Sequence, residues 1–411
     1  MTNSRLSGFH NLTRSERLAR VAKETGLRPA DLAALTPVAD QGGLAENLAE
    51  NVIGIMTVPL GVATNLSVDG VDVLVPMATE ESSVIAAVCN GARACRDAGG
   101  VTTQADDPCM IAQIQVTMVP DPAGARAMLL TRRKEIAKVC DACDPMLVSL
   151  GGGFRDIDPR VVGEMLILHL IIDVRDAMGA NTVNTMAEAL APHVETWTGG
   201  TVGLRILSNL ADRRLVRARA RWPQSELGAD TVAGMLNAYA FAASDPYRAA
   251  THNKGIMNGV DAVALATGND TRAIEAGAHA FAAQGGYGPL TRWWADDAGD
   301  LSGEIEMPMP VGIVGGATKA HPTAQAALKI MGATTADRLG RVMAAVGLIQ
   351  NFSAMRALAT EGIQRGHMSL HARNVAIAAG AVGDQIDTVA SELVARKTVR
   401  EDVAREVLAD I

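Results

Sequence analysis

Strand-like and helix-like stretches alternate across residues 109–212, and this alternation narrows the fold more than any other feature. "IAQIQVTMV" reads as a strand, "PAGARAMLLTRRKEIAKVCDACD" as helix, "LILHLIIDV" as a strand, "NTVNTMAEALAPHVETW" as helix and "TVGLRILS" as a strand. Such alternation predicts a compact α+β domain inserted into a larger one. The flanking parts are residues 1–108 and 213–365. "LTRSERLARVAKETG" predicts a helix capped by Thr13, with Glu16 as capping-box partner and Gly26 as the stop. "GVDVLVPMA" predicts a strand running through "TEESS" into a helix from Val84 to Ala98. "VRARARW", residues 216–222, alternates arginine with smaller residues and reads as an edge strand with a solvated basic face. From Asp230 onward the chain is mostly Ala-rich helix, interrupted by "HNKGIMNGVDAVALATGND" and "EMPMPVGIVGGATKAHP".

Composition adds exclusions. Of 411 residues, 48% are hydrophobic but only 3% aromatic, so Ala, Val, Leu, Ile and Met must build the core. The charge of -8 argues against a nucleic-acid partner. The N-terminal stretch lacks the apolar centre of a signal peptide, and "MLILHLII" is far too short to span a bilayer, so a cytoplasmic location and no membrane are expected. The five cysteines form no disulfide framework. "CDAC", Cys140 to Cys143, has no second pair or nearby histidines to complete a metal site; it reads as a redox pair or as two small residues one helical turn apart.

The chemistry-bearing stretches are few. No G-x-G-x-x-G follows a strand, and "GIVGGATK" lacks the ending of a Walker loop. "SLGGGFRD" and "RDAMGANT" could bring backbone N–H groups close to an anion, or could be plain turns. Glu80 and Glu81 stand where a strand gives way to a helix. Lys254 and Asp270 bound an apolar segment, which predicts a stretch that crosses the core and emerges in a site at both ends. His367 and His371 fall four apart and could share a helix face.

Taken together, "ENVIG", "DAMGAN", "HNKGI", "TGND", "VGIVGGAT" and "LATEGIQRGHM" resemble the 3-hydroxy-3-methylglutaryl-CoA reductase family, in its soluble bacterial class II form, over essentially the whole chain. The resemblance implies a two-hydride interconversion of HMG-CoA and mevalonate plus CoA, through a hemithioacetal and an aldehyde. By it, Lys254 stabilises the developing oxyanion and Asp270 bonds that lysine. Glu81 supplies a proton to the aldehyde oxygen, a role for a carboxylic acid still protonated near neutrality. His367 protonates the departing thiolate. Arg248 holds the substrate carboxylate, and Ser83, Asn209 and Asn258 line the pocket. Asp176, Met178, Gly179 and Asn181 bind the dinucleotide, and Asp144 resembles the acidic residue that bonds a ribose 2'-hydroxyl, so NAD(H) is favoured over NADP(H). The implied fold is a mainly helical substrate domain, an inserted ferredoxin-like domain over 109–212 and a C-terminal flap over 366–411. The implied assembly is a homodimer, or a higher oligomer, with a shared active site and no metal. His10 stands where the resemblance implies an arginine toward CoA. Two rivals stand beside it: a Schiff-base enzyme using Lys254, and a non-catalytic CoA- or nucleotide-binding relative.

Overall fold

Two sheets, each with its own core, organise the computed structural model, which describes residues 3–34, 44, 48, 56–360 and 372–411. His367, His371 and the side chain of His10 lie outside the described residues. The predicted first helix forms as Arg14–Thr25: Thr13 accepts from the Glu16 N–H, Glu16 reaches back to Thr13, and left-handed Gly26 ends it.

The larger sheet has six strands: β1 (Leu60–Val68), β2 (Val71–Ala78), β3 (Val101–Ala105), β8 (Leu215–Trp222), β9 (Thr291–Ala295) and β10 (Leu301–Pro308), ordered β2-β1-β3-β8-β10-β9. Helices cover it. Ala336–Ala359 is long and apolar enough to cross a membrane, yet lies largely buried along the sheet as its core helix. Three of the few aromatics pack together in the core of this sheet. Trp222 stacks on Phe352 at 4.2 Å between ring centroids, with Trp293 tilted 5.3 Å from Trp222.

The second sheet is formed by β4 (Cys109–Thr117), β5 (Gly153–Val162), β6 (Met165–Asp173) and β7 (Thr201–Leu207), ordered β5-β6-β4-β7 and antiparallel throughout. With helices Pro122–Thr131, Arg133–Cys143 and Ala180–Thr198 packed on it, the pattern is strand–helix–strand–strand–helix–strand, the ferredoxin-like arrangement. This unit leaves the larger sheet after β3 and returns at β8, and those two strands are neighbours there.

Three expectations need correction. β8 is a central strand, paired with β3 on one side and β10 on the other. Its arginines do face solvent, Arg219 and Arg221 being exposed, but they also have partners on neighbouring strands and loops: Arg217 binds Asp106 at 2.7 Å and also Glu306, Arg221 binds Asp300 at 2.9 Å, and Arg219 lies over the Trp294 ring. The stretch around Lys254 does not interrupt helix; it lies inside one continuous helix, Pro246–Ala266, started by Asp245, which accepts from the Tyr247 N–H. Gly259 is tolerated in that helix because a side chain there would meet Val346 and Gln350 at about 3 Å. Finally, "SLGGGFRD" is not only a turn, since Gly153 begins β5.

Candidate active site

Five of the expected residues gather on one side of the larger domain. β2 ends at Ala78, and the turn that follows is tied by the Thr79 hydroxyl, which accepts from the Glu81 N–H at 3.1 Å. Ser83 then opens the helix Val84–Arg96 with φ at 77°, in the left-handed region that non-glycine residues seldom occupy, and its hydroxyl makes no capping bond. Strain of this kind, on the order of 1–3 kcal/mol, is held in place by its surroundings and clusters at working sites. Across from this turn, Lys254 projects from its helix and its Nζ donates to Glu81 Oε2 at 3.1 Å. The pair is too exposed to matter for stability, since such pairs contribute roughly 0–1 kcal/mol. Asn258, one turn further on, shares the face with Lys254.

Arg248 stands earlier on the same helix, half-buried and without a hydrogen bond or ion pair among the described residues. Burial pushes its guanidinium below the usual range. A desolvated guanidinium with no protein anion is a receptor for a ligand's anion. Its charge, together with burial, pushes neighbouring His252 down to about 3, so that imidazole stays neutral and bonds Thr291 at 2.6 Å.

The turn from Thr79 to Ser83 forms one end of a cavity of about 1240 Å³. That exceeds the roughly 300–1,000 Å³ of an ordinary small-ligand site and suits an extended ligand. Arg5, Arg17, Arg93 and Asn90 line it farther out, and Asn374, from the C-terminal helical unit, reaches its wall.

The remaining residues gather elsewhere. Asp270 caps the next helix, Thr271–Ala282, accepting from the Arg272 and Ala273 N–H groups and from the Arg272 side chain. A helix rises 1.5 Å per residue, so Ala266, where the Lys254 helix ends, is roughly 18 Å from Lys254 along the axis. Within one chain, therefore, Lys254 and Asp270 do not meet; the lysine pairs with Glu81 instead. Asp270's neighbour Asn269 accepts from the Gly312 N–H at 2.8 Å, and the next residue, Ile313, donates to the Asp176 carbonyl at 2.9 Å. These bonds join the Asp270 turn to the "DAMGAN" turn.

In that turn the Asp176 carboxylate accepts from the Ala336 N–H at 2.7 Å, and Gly179, at φ 103°, starts the long helix Ala180–Thr198 that carries Asn181. The first N–H groups of that helix have no partner within it, as at any helix start. Asn209 lies exposed in the return loop from β7 to β8. Asp144 caps the five-residue helix Pro145–Ser149, accepting from the Leu147 N–H at 2.9 Å through one oxygen. Arg155 and Arg175 flank the glycine loop after it, but both are bound to Asp173 and to the Gly151 carbonyl. Sequence reasoning missed Arg214. It is fully buried and donates to the carbonyls of Ala177, Met178 and Val311, clamping the turn to the larger domain. Nothing local distinguishes it from Arg213 beside it.

"CDAC" proves structural. Cys140 and Cys143 lie one turn apart on Arg133–Cys143, in or against the small core, and burial pushes the Cys140 thiol up to about 12, far from a reactive thiolate.

Residues 13–372 match the family hydroxymethylglutaryl-coenzyme A reductase. The chain belongs to that family. It is 54% identical over 411 residues to the 3-hydroxy-3-methylglutaryl-coenzyme A reductase of Archaeoglobus fulgidus, covering 99% of this chain and 94% of that protein. The solved 3-hydroxy-3-methylglutaryl-coenzyme A reductase of Streptococcus pneumoniae superposes with a TM-score of 0.84 at 37% identity, over 98% of this chain and 99% of that one. A second Streptococcus pneumoniae structure, of the class II enzyme bound to NADPH in open conformations, gives 0.83 at 37% identity over 86% and 99%. HMG-CoA reductase is accordingly the activity of this chain, and a nicotinamide nucleotide its cofactor class.

Proposed function

We propose that this chain interconverts HMG-CoA and mevalonate plus CoA with NAD(H), in the cytoplasm, as a homodimer whose active site takes residues from both subunits. The observation that carries the reading is the Lys254–Glu81 pair, whose Glu81 lines the arginine-lined cavity, with Arg248, unpaired among the described residues, on the same helix. The cavity takes the CoA portion and delivers the thioester to that pair. Arg248 receives the free carboxylate of the HMG group, and Ser83 and Asn258 offer it hydrogen bonds. Lys254 places a fixed cation where negative charge develops on the carbonyl oxygen, which is where a charge stabilises the transition state most. Glu81, already at hydrogen-bond distance from the lysine, supplies the proton to the aldehyde oxygen. His367 protonates the thiolate.

The residues of the nucleotide half fit a nicotinamide dinucleotide. The start of helix Ala180–Thr198 offers N–H groups for its pyrophosphate, and Asp144 keeps one oxygen free for a ribose hydroxyl. A reduced nicotinamide held there would supply one hydride, so the two hydrides of the reaction would come from two nucleotides bound in turn. Arg155 and Arg175 are engaged with Asp173, which leaves neither free for a 2'-phosphate and supports NAD(H); the NADPH bound by the Streptococcus pneumoniae relative supports the other choice.

The separation of Asp270 from Lys254 in one chain supports the dimer, with Asp270 of a second copy completing the site. So do the apolar side chains exposed around the Lys254 face, Phe241, Tyr247 (86% exposed) and Leu265. We assign residues 1–108 and 213–365 to the substrate domain, 109–212 to the nucleotide domain and 366–411 to the flap. The deciding experiment follows oxidation of NADH and of NADPH at equal concentration with HMG-CoA. Faster turnover with NADH is expected. A preference for NADPH would remove Asp144 as selector, and no turnover with either, by a folded dimer, would overturn the reading.

A further inference from the structure

Asp261 follows Lys254 and Asn258 on the same helical face, at the i+7 position, and takes no part in the reaction as derived above. One of its carboxyl oxygens is buried without a partner among the described residues, and its carboxyl faces that of Glu275 on Thr271–Ala282, the helix capped by Asp270. From Glu275 the contacts continue. Its Oε2 lies 2.8 Å from His279 Nε2, His279 Nδ1 lies 2.7 Å from the Tyr287 hydroxyl, and that hydroxyl accepts from the Asn253 side chain at 3.2 Å. Asn253 precedes Lys254, and its own Oδ1 accepts from the Leu290 N–H. The chain of contacts therefore leaves the Lys254 helix at Asp261 and rejoins it beside Lys254.

Two carboxyl groups can bond to each other only if a proton stays between them. Burial and the Glu275 carboxyl push Asp261 up to about 8. Of the charged groups on Thr271–Ala282, Arg272 is turned to Asp270 and His279 is paired with Glu275, and Glu275 is the one that acts on Asp261. The other elements packed on the Lys254 helix have their charges committed elsewhere: Asp72 to Arg96, Lys329 to Asp31, Asp337 to Arg341 and Arg338 to Asp69.

We propose that Asp261 and Glu275 hold one proton between them and, with His279 and Tyr287, fix the spacing of the Lys254 helix and the Asp270-capped helix that the reaction requires. They are positioning residues, and the assignment rests on the reductase reading. Loss of the shared proton sets two carboxylates side by side and pushes the helices apart. Between about pH 4 and pH 8 the folded chain keeps a proton that the unfolded chain has released, so stability falls as pH rises through that window.

The test measures Tm, kcat and KM from pH 6 to pH 10 for the wild type, Asp261→Asn and Asp261→Ala. The wild type should lose kcat above pH 8, by ~10-fold per pH unit, with KM for HMG-CoA little altered. Asp261→Asn, whose amide donates to Glu275 at every pH, should move that decline upward by a pH unit or more and flatten the Tm profile. Asp261→Ala should lose kcat across the range, the loss largely absent in Asp261→Asn. Identical kcat and Tm profiles in wild type and Asp261→Asn would overturn the shared proton. A flattened Tm profile with an unmoved kcat decline would overturn the positioning role. Wild-type protein without turnover, yet with the Tm profile responding to Asp261→Asn, would overturn the reductase reading and uphold the shared proton.

Discussion

Two strand-to-helix turns carry the residues we assign to substrate and nucleotide, and they are built in opposite ways. The turn from Thr79 to Ser83 makes few bonds to itself: Thr79 holds the Glu81 N–H, while the Ser83 hydroxyl is uncommitted in a strained left-handed conformation. The "DAMGAN" turn is clamped from every side, by Arg214 on two of its carbonyls, by the Ile313 N–H on a third, and by its own Asp176 carboxylate on Ala336. The difference follows from what each must bind. A carboxylate and a reacting carbonyl need free side chains, whereas a pyrophosphate needs backbone N–H groups already aimed. One turn keeps its polar groups for the ligand; the other uses its own to hold still.

The contrast can be broken at defined points. The largest effect is expected from Lys254→Ala, which should lower kcat by about 10²–10³-fold, as loss of one oxyanion donor does, while nucleotide binding measured by fluorescence titration persists. Next, Arg214→Met should make the clamped turn resemble the open one. Three buried carbonyls would lose their donor, at about 1–3 kcal/mol each where no water replaces it, and KM for the nucleotide should rise together with a drop in Tm. Arg248→Met should raise KM for HMG-CoA by about 10–100-fold, roughly 1.4–2.8 kcal/mol, and leave the Kd for the nucleotide alone. The smallest effect is expected from Ser83→Gly, which removes the left-handed strain: denaturant unfolding should show a gain of about 1 kcal/mol, accompanied by weaker HMG-CoA binding.

How much of this was legible in the chain depends on the range over which each feature is decided. The Thr13–Glu16 capping box, the strand running into "TEESS" and the alternation over 109–212 are local, and they form as expected. "VRARARW" looked like an edge because alternating arginines reveal nothing about Asp106, Asp300 and Glu306, which reach them from distant segments. The helix around Lys254 was obscured by Gly255 and Gly259; the local cost of Gly259 is offset by close packing against Val346 and Gln350, whereas Gly255 has open space beside it. Motif resemblance singled out Glu81, Lys254 and Asp270 together. That they divide between two places in one chain follows from helix length, and the sequence segment holds no sign that its ends stay apart.

The inserted ferredoxin-like unit departs from β3 and returns on β8, where Asp106 N–H meets the Leu215 carbonyl at 2.9 Å. Its entrance and exit are thus one hydrogen bond apart on a sheet that closes without it. The Arg214 bonds to Ala177 and Met178 and the Ile313 bond to Asp176 tie the same unit down as well, so another version of it would have to keep the "DAMGAN" turn to seat on the larger sheet's side.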